Sequence, residues 1–75
     1  MEQYRNLGGD SGVTGYEIGS DFIKVNFKDD SLYLYTYEST GQQDVETMKE
    51  LATAGTGLNS FISSKVRKRY AAKLR

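Results

Sequence analysis

No cysteine, histidine, proline or tryptophan occurs in these 75 residues. Without cysteine there is no disulfide and no thiolate chemistry. Without histidine the usual zinc sites and an imidazole general base are excluded as well. Long apolar runs are also missing: none exceeds a few residues, which excludes a transmembrane helix and a signal-peptide core and makes the cytoplasm the expected location. What acid and hydroxyl chemistry remains is sparse. Asp29 and Asp30 are adjacent carboxylates, but neighbours on a turn point apart and no second ligand cluster accompanies them. Ser63 and Ser64 have no histidine to activate them. The inventory predicts a chain without catalytic residues, metal or cofactor.

What is present is enough for one small domain. Leu, Ile, Val and Phe make up about a fifth of the chain, just above the level at which disorder becomes the default. The formal net charge is +0, so self-repulsion does not favour disorder either. That neutrality hides a segregation. Residues 1–56 carry four basic and ten acidic side chains, whereas residues 57–75 carry Lys65, Arg67, Lys68, Arg69, Lys73 and Arg75 and no acid. Such asymmetry points either to an anionic partner or to a basic helix lying against its own acidic portion.

Glycines and small polar residues dominate 1–12, which predicts a flexible leader before a single domain over 13–75. Val13 to Ile18 fits a short strand. Phe22 to Lys28 alternates, with Ile23, Val25 and Phe27 on one side, and Leu32 to Tyr37 is a third strand dense in aromatics. The turn decides where the tyrosines face. A two-residue loop at Asp29-Asp30 needs φ > 0 at both aspartates and would put the tyrosines beside Lys24 and Lys28 on the outer face. A three-residue loop, Lys28-Asp29-Asp30, needs it only at Asp30 and aligns Tyr33 and Tyr35 with Val25 and Ile23 on the core face. Turn chemistry favours the second, and the first stays open.

Thr40-Gly41-Gln42-Gln43 has capping-box spacing before an apolar stripe of Val45, Met48, Leu51 and Ala52 that runs to about Ala54. Gly55-Thr56-Gly57 breaks that helix; it lacks the Gly-Lys-Ser/Thr of a P-loop and reads as a helix–helix turn. Leu58, Phe61, Ile62, Val66, Tyr70 and Leu74 then recur at helical spacing, with Lys65, Lys68, Arg69 and Arg75 on another arc. The predicted architecture is α+β: a three-stranded antiparallel meander followed by two helices packed on one face.

Val25-x-Phe27, Asp29-Asp30-Ser31, Tyr33-x-Tyr35, Gly57-x-Asn59, Ile62 and Tyr70 together resemble the KTSC domain. That small domain stands at the C-terminus of some lysyl-tRNA synthetases and alone in bacterial proteins. The resemblance covers about residues 13–70. It departs at the hairpin turn, where the family often has Asn-Gly-like residues, and before the first helix, where Ser39-Thr40-Gly41 stands in place of Val-Pro. It implies this α+β fold, a bacterial source and, through the synthetase connection, RNA.

The expected function is therefore weak binding of RNA or other single-stranded nucleic acid through the basic C-terminal helix. Lys65, Lys68, Arg69 and Arg75 would meet phosphates, and Tyr70 or Tyr33, Tyr35 and Tyr37 would stack bases. The alternative is a protein-interaction or homodimerising module, since pairing would offset a thin core. A membrane surface is not an expected partner, because the apolar stripe is needed for that core.

Overall fold

The computed structural model describes residues 1–9 and 12–75. Its centre is the predicted meander: β2 (Val13–Ile18), β3 (Phe22–Phe27) and β4 (Leu32–Thr36), paired antiparallel in sequence order. Two further strands extend it to five. β1 (Glu2–Gln3) pairs with β2 and β5 (Ala72–Lys73) pairs with β4, giving the order β1-β2-β3-β4-β5. The three-stranded expectation is corrected accordingly: short terminal segments cover both edges of the meander, where unpaired N–H and C=O groups would otherwise be exposed.

The three-residue loop is the one formed. Asp30 sits at φ 70, the Phe27 amide donates to the Ser31 carbonyl at 2.9 Å and the Asp30 amide to the Phe27 carbonyl at 2.8 Å. Val25 therefore lies opposite Tyr33 and Ile23 opposite Tyr35, which turns both tyrosines toward the helices.

Three α-helices follow: α1 (Tyr37–Thr40), α2 (Gln42–Ala54) and α3 (Leu58–Phe61). The expected capping box at Thr40 is not made. Thr40 Oγ1 donates instead to the Arg69 carbonyl at 2.7 Å, and α2 starts at Gly41 with no side-chain cap. The reciprocal box sits one turn earlier. There the Ser39 amide donates to Thr36 Oγ1 at 3.0 Å and the Thr36 amide to Ser39 Oγ at 3.2 Å. It stops β4 and opens α1. Gly55 ends α2 at φ 82. A side chain there would adopt a left-handed conformation and bring its Cβ within 2.8 Å of Arg5.

Val45, Met48 and Ala52 of α2, with Leu58, Ile62 and Val66, pack on Val13, Ile23, Val25 and Tyr35. Each fully buried aliphatic contributes roughly 1.5–3 kcal/mol. The leader joins this core. Tyr4 is only 3% exposed, and its hydroxyl accepts from the Leu58 amide at 3.2 Å. The Arg5 guanidinium donates to the Thr53 and Ala54 carbonyls at the end of α2. The flexible leader expected over 1–12 is thus tied down through its first half; Asp10 and Ser11 lie outside the described residues.

The largest departure is at the other end. The predicted basic helix does not run to Leu74. After α3 the chain makes one π-helical turn, Ile62–Val66, closed by the Arg67 amide on the Ile62 carbonyl at 2.6 Å, and leaves the helix at Arg67. Pairing with β4 wins over helix continuation: Ala71 donates to Leu34 at 2.7 Å, Leu74 to Leu32 at 2.6 Å and Leu32 to Arg75 at 3.0 Å. Leu74, placed on the core stripe by its spacing, is 46% exposed. Among the described residues no helix is long and apolar enough to cross a membrane.

Candidate functional site

Departure from the helix at Arg67 is what builds the site. Arg67 has φ 51 and ψ −117, and the Arg69 amide donates to the Val66 carbonyl at 3.0 Å. This is the first central position of a type II′ turn, which normally demands glycine. An arginine held there stores backbone strain of order 1–3 kcal/mol. The turn redirects the chain so that Tyr70 lies over the sheet, its ring 4.7 Å from Tyr33 and 6.3 Å from Tyr35, centroid to centroid.

Between this connection and the β3–β4 turn opens a cleft of about 500 Å³. Phe27, Tyr33, Tyr35 and Tyr70 make it aromatic, with Phe27 edge-on to Tyr33 at 5.6 Å and 81°. Lys28, Arg67 and Lys68 also line it. All three are exposed and enter no ion pair among the described residues. Asp29 is the one carboxylate on its lining among the described residues. Its Oδ1 accepts from the Ser31 amide at 3.0 Å and from Ser31 Oγ at 2.6 Å. Those two bonds, the hydroxyl's above all, hold the carboxyl below its ordinary range, and nearby Lys73 adds a smaller push in the same direction.

The predicted contact residues separate into three groups. Lys68, Tyr70 and Tyr33 meet in the cleft. Tyr35 borders it but is only 2% exposed, and burial pushes its phenol up to about 12, so it supports the floor and offers no stacking face. Tyr37 is elsewhere. As the first residue of α1 it donates to the Glu46 carboxylate, and Lys49 lies 5.3 Å from its ring centre. The Glu46 hydrogen bond raises the Tyr37 phenol above its usual range.

The cations separate in the same way. Arg69 pairs with Asp44 and donates to the Thr40 carbonyl at 2.9 Å and the Lys65 carbonyl at 3.1 Å. Arg75 donates to Asn26 Oδ1 at 3.0 Å and the Asp30 carbonyl at 3.1 Å, and pairs with Asp30 at 3.3 Å. Both act as internal clasps, one at each end of the connection that carries Tyr70. Lys65 is exposed on the π turn and is not among the lining residues. Phe27, Lys28, Asp29 and Arg67, which lie outside the predicted contact set, also line the cleft. The signal for Phe27 and Asp29 was the three-residue turn itself. Arg67 had none, because nothing in the local sequence asks for a type II′ turn.

No family model, curated protein or solved structure matches this chain.

Proposed function

We propose that the protein is a non-enzymatic, KTSC-like cytoplasmic domain that binds single-stranded RNA weakly, through the aromatic cleft and not along a basic helix. The observation that carries this reading is a pair of half-exposed rings, Tyr33 and Tyr70, beside three cations, Lys28, Arg67 and Lys68, that form no ion pair among the described residues. Bases stack on aromatic faces for about 1–3 kcal/mol each, and flanking cations meet phosphates. With room for one or two bases, binding is weak. The strain at Arg67 supports the same reading, because strained backbone collects where a side chain has work to do.

The test is fluorescence anisotropy with a labelled mixed-sequence RNA of about eight nucleotides over a series of salt concentrations. Replacing both Arg67 and Lys68 by alanine should weaken binding to every sequence. It should also flatten the slope of log K against log salt by about 1 to 1.5, the loss of two single-strand phosphate contacts. An unchanged slope removes the phosphate assignment. No binding even at low salt, with a concentration-dependent dimer in sedimentation, replaces the RNA reading with an oligomerising module.

A further inference from the structure

The cleft holds one feature that neither stacking nor phosphate contact uses. In a lining whose other charged groups, among the described residues, are all cations, Asp29 places a carboxylate beside the aromatic floor. An anion there opposes the phosphates that Lys28, Arg67 and Lys68 attract, so a surface built only for the RNA backbone gains nothing from it. Shaping the turn accounts for half of the group: Oδ1 takes both hydrogen bonds from Ser31. An asparagine would serve that purpose equally well, since its carbonyl oxygen accepts in the same place. The carboxylate also accepts from its own backbone amide, and the second oxygen takes no hydrogen bond from any other described residue.

A carboxylate oxygen with lone pairs to spare next to a stacking floor is an acceptor for N–H groups on the edge of a stacked base. The four bases differ sharply in what they offer it. Guanine presents N1–H and N2–H₂ side by side, with no acceptor between them. Cytosine and adenine each present one exocyclic amine next to a ring-nitrogen acceptor. Uracil presents a single N3–H flanked by two carbonyl oxygens that repel a carboxylate.

Resting on the RNA reading above, we infer that Asp29 makes the cleft a guanine-selective subsite. The base stacks against Tyr33 and Tyr70, its donor edge meets the free Asp29 oxygen, and the neighbouring phosphates meet Arg67 and Lys68. The hydrogen bonds from Ser31 keep that carboxylate ionised and fixed in direction, which a donor edge requires. Asp29 is then a specificity residue and the rings and cations supply the affinity common to all bases.

The experiment is competition for a labelled RNA by the pentamers r(UUGUU), r(UUAUU), r(UUCUU) and r(UUUUU), on the wild-type protein and on Asp29→Asn. The wild type should bind r(UUGUU) about tenfold more tightly than r(UUUUU), the size of one good base-edge contact, with the adenine and cytosine pentamers between. Asp29→Asn keeps the acceptor for Ser31 and replaces the free oxygen by a donor. It should lose the guanine preference while still binding all four pentamers. Wild-type affinities within about twofold of one another would overturn the guanine assignment and leave the RNA reading standing. So would a guanine preference that survives in Asp29→Asn. Failure of all four pentamers to compete, with no binding of the labelled RNA at low salt, would overturn the RNA reading and this inference together. If the variant does not fold, the wild-type series still tests the guanine preference, and affinities within about twofold overturn it.

Discussion

Near the α1 end of the β3–β4 ladder, Tyr35 lies opposite Ile23, sealed beneath the helices with a phenol that burial keeps protonated. Two residues away, next to the turn, Tyr33 lies opposite Val25 with its ring half-open to the cleft and Tyr70 and Phe27 against it. Same residue type, same strand and same face give one core residue and one half-exposed ring at the cleft. The difference comes from what lies above each ring: Tyr35 is part of the buried core cluster, whereas above Tyr33 the last segment has left the helix. The cations divide along the same line. Arg69 is spent on Asp44 and backbone carbonyls, while Lys68, one position earlier, lines the cleft with no ion-pair partner among the described residues. Position in the segment, not charge, decides which cation is available.

The contrast is sharpest in stability. Tyr35→Ala should cost about 3–5 kcal/mol, as truncation of a large buried ring does, and Tyr33→Ala clearly less, measured by urea denaturation. Equal losses at the two positions would erase the distinction between floor and cleft.

Alkali should act through the same tyrosine. Burial raises its phenol to about 12 in the folded chain, against about 10 when unfolded. Between those values the unfolded chain releases a proton that the folded chain keeps. Stability is therefore complete below pH ~10 and falls as pH rises toward 12, by up to about 2–3 kcal/mol from this group. Urea titrations at intervals over this range should show the fall, and Tyr35→Phe should flatten it.

The clasp and the lining are separated by two smaller effects. Arg69→Ala should cost about 1–2 kcal/mol, from a charge-assisted bond to Asp44 and two bonds to carbonyls on a partly exposed side chain. Arg67→Gly should go the other way. It removes the strain of a non-glycine residue at φ 51, and after the added entropy of the unfolded chain the net gain is about 1 kcal/mol. Thermal denaturation checks both signs, and a variant that is more stable yet binds RNA less tightly would show the arginine to be kept for its guanidinium.

Much of this molecule was legible before its structure. The alternation of Ile23, Val25 and Phe27, the αL tolerance of Asp30 and the stripe of Val45, Met48 and Ala52 led to the central strands, their register and α2, because each rests on local periodicity or turn chemistry. The β5 pairing was not legible. Ala71-Ala72-Lys73 is a helix-favouring run, and only the unpaired edge of β4, a tertiary fact, makes it a strand. The π turn hid for the same reason, since Tyr70 and Leu74 continue the helical spacing whether or not the helix continues. Tyr37 continues the strand's alternation but follows Thr36, whose box with Ser39 turns it out of the sheet. The candidate site suffered most, because it is built where the last segment departs from its own periodicity.

The most direct test of the central claim is a map of aromatic ring signals by NMR during titration with a short single-stranded RNA at low salt. The account predicts that the rings of Tyr33, Tyr70 and Phe27 shift together while Tyr37, beside Glu46 and Lys49, stays still. Shifts confined to Tyr37, or to backbone signals remote from the cleft with these three rings unmoved, would contradict it.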